Sequence, residues 1–567
     1  MRRRALLLGM TLVLAGASTT AFAAEPGDLD TSFGNQGHAD FESGNLQSAK
    51  RIVATADGSL FVLDDNAVIR LDADGSPSAT FGASGRVTLP TAGFRWAGLA
   101  VDGVGRVLVA GSEESGPVDG KTALLRLLPS GFPDSSFGGD GVVSVDLGPD
   151  DNEIAMSVAI DGSGDYVLAG NVLPKGTDSN LPAVVRLHPD GTPDTALAGT
   201  GSRVYTTLTD DFVRHVRIDG DAILLGGQHE ADGFENVVAR VTRAGDLDGA
   251  FGSGGVARTG PATDARNGPL SMDFVVLPDH RVRIAATTGT TPAVSGELVG
   301  LTATGAPDPD VGPGGRRTDL VPSKGGTLLT SIAAGADGSL HVGGAVFKDN
   351  GQGGTTLSSL LGRLSADGAP DPRFSGDGFT TDGGPLPGIG LGLAVDPSGR
   401  PVTLAWILAS ADPPQTRTRV ARFVPVPPPV IPPPPAAPTP DPSVTTPTPP
   451  APTPPTPAPP TPTPRAPAPL VKSASVLKLP SSKSCVSRRT VKLTVAVPKG
   501  LKLTGLKAKI GSGKTKTVKS GALLSLKGRP KGKVKVTVTA TLSTGQRLTR
   551  TVTYRLCAAK ATKRKKQ

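Results

Sequence analysis

Aromatic residues and cysteines are scarce in this chain. Of its 567 residues, two are tryptophan, three are tyrosine and two are cysteine. Glycan-binding platforms usually stack sugar rings on tryptophan or tyrosine, so the composition argues against that class. After the first 23 residues, no stretch is apolar for the roughly 20 residues that a membrane-spanning helix needs. The sequence therefore disfavours both a sugar-binding platform and a membrane-spanning protein.

The first 23 residues have the order of a secretory signal peptide. Three arginines follow Met1, and the apolar run ALLLGMTLVLAG leads to Ala21-Phe22-Ala23. This run is too short to cross about 30 Å of hydrocarbon, so we expect cleavage after Ala23 and export of the mature chain. The C-terminal KRKKQ has no hydrophobic tail for sorting or lipid anchoring. We therefore expect a secreted or cell-wall-associated protein whose surface attachment, if it has one, is non-covalent.

Acidic and basic residues are segregated along the mature chain. Residues 24–424 contain 49 acidic and 29 basic residues, whereas residues 471–567 contain 26 basic residues and no acidic one. Residues 425–470 between them are mostly proline, threonine and alanine. Proline fixes φ and removes hydrogen-bond donors, and the segment has too little apolar surface to form a core. The sequence predicts an acidic body, a disordered proline-rich linker and a basic C-terminal domain.

One pattern recurs seven times within residues 24–424. Each copy has a turn segment, such as SGFPDSSFGGDGVVSV from Ser130, and a hairpin, such as LAVDGVGRVLVAG from Leu99. Apolar residues alternate before the hairpin turn, which is typical of a strand with one buried face. Four strands per copy and seven copies predict an all-β, seven-bladed β-propeller. The turn segments are anchored, 48 to 63 residues apart, by Phe33, Phe81, Phe137, Leu197, Phe251, Val311 and Phe374.

The turn signature Asp-x-Gly-x-x-Asp-x-x-Phe-Gly-x-x-Gly resembles the delta-60 repeat of bacterial secreted proteins. The resemblance covers nearly all of residues 26–424, and the fourth and sixth copies depart from it, with Leu197 and Val311 in place of phenylalanine. It implies a β-propeller with no assigned ligand and no reaction. The hairpin also resembles the NHL-type propeller repeat. That likeness implies that the strand after Phe-Gly is the outermost of each blade.

With this strand order, each end of the repeat region is an incomplete blade. A lone outer strand at the start and a bare edge at the end would both expose unpaired backbone groups. We therefore predict that His38–Glu42 lies antiparallel to Val420–Val424 as the outer strand of the seventh blade. The alternative is an innermost position for the strand after Phe-Gly, with every blade built from contiguous sequence.

The acidic residues of the turns invite a comparison with calcium loops. Such a loop needs several oxygen ligands at alternate positions and a closing acid. Asp72-Ala73-Asp74-Gly75 resembles only the beginning of one. The signature acids instead suit hydrogen bonds to their own turn backbone, so we predict no metal and no cofactor. The acids predicted to have this structural role are Asp30, Asp134, Asp194, Asp248 and Asp371. Structural residues of the same repeat motif are Phe33, Phe81, Phe137, Phe251 and Phe374.

Catalytic groups do not cluster in the body, which has no cysteine and whose histidines fall at different places in the repeat. His229-Glu230, in an apparent inter-strand loop, is the strongest candidate, but such a pair is more often merely solvated. We predict no catalytic residue and no enzymatic activity. An extracellular hydrolase or lyase with a site on the loop face stays open as the alternative. Several variable loops on that face are acidic, which favours a protein or cationic ligand over a sugar, with a merely solvated face as the plain alternative.

After Leu470 the sequence changes to short alternating strands separated by Gly, Ser and Pro turns. Seven such runs predict a small β-sandwich of the immunoglobulin kind over residues 471–567. Cys485 and Cys557 lie near its two ends, and in an exported chain we predict that they form a disulfide. Tyr554 is the only aromatic residue of this segment, which with export argues against nucleic acid. The positive charge favours an anionic cell-envelope polymer, unless it serves solubility alone.

These features predict a monomeric, secreted or cell-wall-associated binding or scaffold protein. An acidic propeller would be displayed on a proline spacer and retained by a basic domain. A purely structural spacer is a further alternative.

Overall fold

The computed structural model describes two units of the chain, residues 1–435 and 436–567, over part of their length. In the first unit the described residues are 24–42, 51–116, 119–148, 151–177, 179–230, 234–263, 272–290, 293–318, 320–321, 326–349, 355–382, 388–411 and 414–427. In the second unit they are 477–478, 490–495, 503–511, 516–519, 523–526, 532–542 and 547–556. The predicted signal peptide 1–23, the linker 428–470, Cys485 and Cys557 lie outside these ranges.

Strands account for nearly all the regular structure of the first unit, whose described residues form seven four-stranded antiparallel groups. The first three sheets are β2 (Arg51–Ala54), β3 (Leu60–Asp64), β4 (Ala67–Leu71), β5 (Arg86–Thr88); β6 (Phe94–Val101), β7 (Val107–Gly116), β8 (Asp119–Leu127), β9 (Val142–Val145); and β10 (Asn152–Ile160), β11 (Tyr166–Leu173), β12 (Leu181–Leu187), β13 (Ser202–Val204). The second and third sheets also share one parallel contact, Asn152 with Gly120.

The remaining sheets repeat the same order. They are β14 (Asp211–Asp219), β15 (Ala222–Glu230), β16 (Phe234–Val241), β17 (Val256–Thr263); β18 (Met272–Val276), β19 (Val282–Thr290), β20 (Ala293–Leu301), β21 (Arg316–Arg317); β22 (Thr327–Ala334), β23 (Leu340–Asp349), β24 (Thr355–Leu364), β25 (Phe379–Thr381); and β26 (Gly388–Val395), β27 (Pro401–Ala411), β28 (Pro414–Arg422), β1 (His38–Glu42). A single 3₁₀ turn, Pro313–Gly315, precedes β21 within the described residues. No helix among the described residues is long and apolar enough to span a membrane.

The first strand of each sheet lies innermost, and the innermost strands form a closed ring. β2, β6, β10, β14, β18, β22 and β26 each contact the next, and β26 contacts β2. The fold is therefore all-β and propeller-like, and each sequence repeat corresponds to one sheet, with its phenylalanine strand outermost as in the NHL-type order.

The middle strands of each sheet are buried on both faces because each sheet packs between two others. All five residues of β3 are buried, as are the first seven of β11, and both strands are rich in β-branched and other apolar residues. The innermost strands alternate instead, as β10 shows, since one edge of each faces the axis. Apolar burial between neighbouring sheets thus holds the ring together.

The chain ends complete the seventh sheet, as predicted from the mismatch between ends and repeats. β1 lies antiparallel to β28 on the outer edge of this sheet, which confirms the pairing. The predicted register is wrong by three residues: His38 lies opposite Ala421 and Glu42 opposite Arg417. The cause is the incoming turn, because Gly27 N donates to Val424 O at 3.0 Å and Leu29 bridges to Phe423. These contacts occupy the end of the last strand before β1 begins.

The described residues of the second unit form one four-stranded antiparallel sheet and two strand pairs around one apolar core. The sheet order is β33 (Lys516–Thr517), β32 (Leu503–Ile510), β35 (Gly532–Leu542), β36 (Arg547–Leu556). The pairs are β29 (Leu477–Lys478) with β31 (Thr494–Val495), and β30 (Thr490–Lys492) with β34 (Leu523–Ser525). The immunoglobulin-like topology and the disulfide stay predictions, because large parts of this unit lie outside the described residues.

Candidate functional site

The signature acids of the turn segments bind their own turn backbone. In each case Oδ1 accepts a hydrogen bond from the backbone N–H two residues later, at 3.0–3.1 Å. This is the turn geometry proposed from the sequence. Hydrogen bonds from Ser136 lower the pKa of Asp134, and the Ala250 N–H lowers that of Asp248. The five acids are Asp30, Asp134, Asp194, Asp248 and Asp371.

The second carboxylate oxygen of each signature acid accepts a hydrogen bond from, or pairs with, an arginine of the preceding strand. Arg126 Nε lies 2.9 Å from Asp134 Oδ2, and Arg186 Nε lies 2.7 Å from Asp194 Oδ2. These arginines belong to the Arg-Leu step that ends the third strand of each repeat. In the seventh sheet the same pair joins the two chain ends, since Arg422 Nε lies 2.8 Å from Asp30 Oδ2. The acids are thus neutralised inside the fold.

Four of these five arginines, Arg126, Arg186, Arg240 and Arg422, also donate a hydrogen bond to a backbone carbonyl of the next sheet. For example, Arg186 Nη1 donates to the carbonyl of Arg243 at 3.0 Å. In three sheets the guanidinium also lies over the anchor phenylalanine, at 4.3 Å for Arg126 over the ring of Phe137. The turn signature therefore clamps one sheet to the next, which explains its recurrence through architecture and not through chemistry on a ligand.

The anchor residues complete this clamp by packing under the following turn. All seven are at most 1% exposed. Glycine is needed at position 75 for two reasons. A Cβ added there would lie 2.8 Å from the ring of Phe33, and the backbone has a φ of 85°, which other residues rarely adopt. Gly131 and Gly305 stand in the same relation to Phe81 and Phe251. The anchors are Phe33, Phe81, Phe137, Leu197, Phe251, Val311 and Phe374.

Two sheets replace one member of the clamp. In the first sheet, Ser78 stands at the acid's position, and Arg70 lies instead 3.5 Å from Asp57. In the fifth sheet, Gly300 stands at the arginine's position. Arg283 on the neighbouring strand, directly opposite Gly300, supplies the guanidinium to Asp308 at 2.8 Å. The charge pair is retained although the arginine has moved to another strand.

The relocated arginine of the fifth sheet predicts a compensated pair of substitutions. We expect Arg283→Val to lower the free energy of unfolding by about 3 kcal/mol, since it leaves Asp308 buried with weaker compensation. Gly300→Arg alone should also destabilise, because its Cβ would lie 2.4 Å from Val311 Cγ2 and two guanidinium groups would compete for one acid. The double variant has the arrangement of the third sheet, Val167 opposite Arg186.

Urea unfolding of the four proteins measures the coupling, and the double variant should recover more than half of the loss. Arg203→Val is the matched control: that arginine is 41% exposed and pairs with an exposed acid, Asp246, so its loss should cost less than about 1 kcal/mol. Simple additivity of the two single effects would show that the arginine's position does not matter to the clamp.

Asp165, His188 and Asp194 form the one group of three potential metal ligands found among the described residues, with donor atoms within 4.8 Å of one another. Asp194 already accepts hydrogen bonds from Arg186 and from the Ala196 N–H. Asp165 Oδ1 lies 2.9 Å from His188 Nδ1, and this hydrogen bond raises the pKa of His188. The geometry is that of an internal ion-pair network.

His229, the strongest catalytic candidate of the sequence, lies at the end of β15 and not in a loop, so that placement was wrong. Its Nδ1 is 2.8 Å from Asp211 Oδ1. Arg258 binds the same carboxylate through both terminal nitrogens, at 2.9 and 3.0 Å. Asp211 therefore links His229 of β15 to Arg258 of β17. The side chain of Glu230 lies outside the described residues.

A cluster of charged residues at the ring axis was not predicted from the sequence. Each innermost strand has one residue at the same register position relative to the second strand of its sheet. Together these seven residues form a layer around the axis. We call it the axial layer. Its residues, in order of the sheets, are Arg51, Gly98, Ser157, His215, Asp273, Ser331 and Gly392.

Irregular pairing directs backbone groups into this layer. In five of the seven innermost strands, a register shift directly precedes the axial residue, as between Ala155 and Ser157 and between Val213 and His215. Such a bulge leaves one residue out of the ladder and is common beside functional sites. The carbonyls of two skipped residues, Met156 and Arg214, each lie 3.3 Å from Arg51 Nη2. Arg51 thus reaches across the axis from the first sheet to the third and fourth.

The cavity at the axial layer is lined by two arginines, Arg51 and Arg217, and by one carboxylate, Asp273, among the described residues. Asp273 Oδ1 accepts a hydrogen bond from Arg217 Nη2 at 2.7 Å. The same oxygen lies 3.3 Å from His215 Nδ1. Burial lowers the pKa of His215 to about 3, so its ring is neutral at neutral pH. A cavity of about 270 Å³ opens between Arg51, Arg217 and Asp273, and residues of all seven innermost strands line it. An alignment of the seven hairpins would have shown these charges inside apolar strands.

The loops fall into two groups by the direction of the strands. First and third strands of each sheet run the same way, so the Asp-Gly hairpin turns and the signature turns share one side of the ring, which we call the turn side. The loops between second and third strands, and those leading to the next sheet, share the opposite side, the loop side. His229 and Asp211 lie at this loop side, where the sequence placed the variable acidic loops.

The comparisons with known proteins agree with the fold class. Residues 163–196 match the family described as "Domain of unknown function (DUF5122) beta-propeller". No curated protein matches the sequence.

Among solved structures, a polysaccharide lyase, Uly1, is 12% identical with a TM-score of 0.37, covering 72% of this chain and 94% of the lyase. A puromycin hydrolase is 11% identical with a TM-score of 0.35, covering 68% of this chain and only 61% of its own. The PQQ-bound aldose sugar dehydrogenase of Streptomyces coelicolor is 15% identical with a TM-score of 0.31, covering 57% of this chain and 98% of the enzyme. At these identities and scores, the chemistry of these enzymes does not transfer to this chain.

Proposed function

We propose that this protein is an exported binding or scaffold protein, retained at an anionic cell-envelope polymer by its C-terminal unit, with its acidic propeller held out on the proline-rich linker. The proposal includes cleavage after Ala23, pairing of Cys485 with Cys557 and membership of the delta-60 repeat family. It assigns no reaction to the propeller, whose signature residues are engaged in clamps between sheets. The loop side is where a protein or cationic ligand would bind.

One face of the C-terminal sheet carries the proposal. Alternate residues of β32, β35 and β36 point into the apolar core, among them Leu506, Val536 and Tyr554, all at most 3% exposed. The residues between them are basic or threonine and lie on the other face. We call this surface the basic face: its exposed charges are Lys507, Lys509, Lys533, Lys535 and Arg555.

The segment that carries the basic face supplies no acid to neutralise it, because residues 471–567 contain none. Lys507 and Lys509 lie opposite Thr539 and Thr537, and Lys535 lies opposite Thr553, so hydroxyl groups stand among the cations. A flat sheet with cations and hydroxyls suits a repeating polyanion, to which each basic side chain contributes about 1 kcal/mol near an anionic surface. Acidic loops on the propeller would avoid the same polymer and stay free for another partner.

The test is retention of the full mature chain on immobilised poly(glycerol phosphate). We expect replacement of the five basic-face residues by glutamine to weaken binding at least about 100-fold, since several ion contacts are lost together. Salt should release the unchanged protein, because attraction between exposed charges is screened within about 10 Å at 0.1 M. Uncharged dextran resin should retain neither protein.

The matched control removes five positive charges elsewhere, by replacing Lys560, Lys563, Arg564, Lys565 and Lys566 with glutamine. It should weaken binding much less than the basic-face variant. Equal losses in the two variants would show that total charge and not this face causes retention, and retention unaffected by either would remove the anchoring role.

A further inference from the structure

The lining of the axial cavity, as far as the structure describes it, carries two arginines and one carboxylate. Arg51 and Arg217 line the cavity, and Arg214 lies beside it, with its guanidinium 4.5 Å from the ring centre of Phe212. Asp273 is the one carboxylate among the described lining residues, and Arg217 donates a hydrogen bond to it at 2.7 Å. An anion that enters this cavity therefore meets a net positive charge.

Burial and neighbouring positive charge both act on Arg51 and Arg214. Burial and the nearby charge of Arg51 lower the pKa of Arg214 to about 10. Burial also lowers the pKa of Arg51, and Arg217 adds to this against the opposing charge of Asp273. An anion placed between these groups would relieve both the desolvation and the repulsion.

The remaining lining groups suit a polar ligand of limited size. Ser331 is 3% exposed, and its Oγ has no hydrogen-bond partner, while Thr330 and Ser157 also line the cavity. The volume of about 270 Å³ exceeds that of a single water by far. Leu99, Ile332 and Leu393 complete the wall, so an anion with a short carbon skeleton would also find apolar contacts.

We propose that the propeller binds a small oxyanion, a phosphate or a carboxylate, in the axial cavity, with Arg51 as its principal cationic partner. Guanidinium groups bind both classes through two parallel hydrogen bonds. The carbonyls of Met156 and Arg214 hold Arg51 across the axis, so it presents its charge to the cavity without first being ordered by the ligand. This site is independent of the basic face and of the loop side.

The chain offers a readout confined to the propeller. Its two tryptophans, Trp96 and Trp406, lie in β6 and β27, and the basic C-terminal unit has none. Tryptophan fluorescence during heating therefore reports unfolding of the ring, whereas anions bound by the C-terminal lysines leave this transition unmoved. Ligands that bind the folded state alone raise the midpoint with concentration.

The experiment heats the full mature chain with sodium phosphate, sodium citrate or sodium chloride at matched ionic strength. We expect phosphate or citrate to raise the midpoint by several degrees at saturation and chloride to do so much less; which of the two acts more strongly identifies the ligand class. Arg51→Gln should remove this gain or weaken it at least tenfold in concentration. Arg95→Gln removes the same charge from a side chain that is 74% exposed, and it should respond as the unchanged protein does.

Asp273→Asn gives a test of opposite sign. It removes the one negative charge that lines the cavity, so phosphate should act at lower concentration than on the unchanged protein. Isothermal titration of the unchanged protein and of the Arg95→Gln variant covers the case in which an axial variant does not fold. The proposal is overturned by equal effects of phosphate, citrate and chloride, or by an Arg51→Gln variant that folds and keeps the full response.

Discussion

A protein lacking residues 24–42 is expected to lose its cooperative unfolding transition and to aggregate. The deletion removes β1 from the edge of β28, Phe33 from beneath Arg422, and Asp30 from the guanidinium that it neutralises. It also removes the two hydrogen bonds, both 2.8 Å, between Arg419 and Asp40. A bare edge strand and a buried, unpaired arginine remain, and each is among the costliest defects of a sheet protein. Size-exclusion chromatography and tryptophan fluorescence in urea measure the outcome.

The matched control keeps the same residues in another order. Joining Val424 directly to Glu25, so that the chain runs 43–424, 25–42 and then 425–567 and lacks only Ala24 of the mature chain, places Asp30 eight residues after Arg422. That is the spacing of Arg126 and Asp134, which lie in one contiguous repeat. We expect this permuted protein to fold with a stability close to that of the original order. A deletion variant that stays monomeric and unfolds cooperatively would show that the ring does not need its closing strand.

Phe137→Ala is expected to lower the free energy of unfolding by about 3–5 kcal/mol, the range for a large buried aromatic side chain. The ring of Phe137 is fully buried, lies 4.3 Å below the guanidinium of Arg126 and meets Tyr166 edge-on at 6.1 Å. Its loss leaves a cavity between the second and third sheets and removes the support of a buried arginine. Urea unfolding followed by tryptophan fluorescence gives the difference.

The same turn segment contains its own control, because Phe132 is 67% exposed. Phe132→Ala removes the same side chain five positions earlier in the sequence and should change the stability by less than about 0.5 kcal/mol. Similar losses at both positions would mean that aromatic content and not the clamp matters. A loss of under 1 kcal/mol at Phe137 would contradict the assigned role of the anchor residues.

The architecture was predictable because the repeats carry it redundantly. Seven copies of one signature place seven turns, and the mismatch at the chain ends then requires closure by His38–Glu42. The register of this closure was not predictable from the strand pattern. It depends on contacts of Gly27 with Val424 and of Leu29 with Phe423, just after β28 ends. A turn's geometry sets register, and a turn split between two chain ends carries no such local signal.

The partners of the signature acids could have been found, because arginine and acid recur eight residues apart, as in Arg186 and Asp194. The axial layer was harder to find. Arg51, His215 and Asp273 differ from one another and are surrounded by ordinary strand residues, so only the ring brings them together. Periodicity identifies positions that share a role, and a site formed by unlike residues at one shared position leaves no repeated signal.

The pairing of Asp40 with Arg419 joins residues 379 apart in sequence. Among the described strands of the first unit, β1 stands earliest in the chain, yet it pairs with β28, the last of them. The other six sheets each consist of strands that are consecutive in sequence. A chain that ends before β28 can therefore supply all the strands of six sheets, but it leaves β1 without its partner.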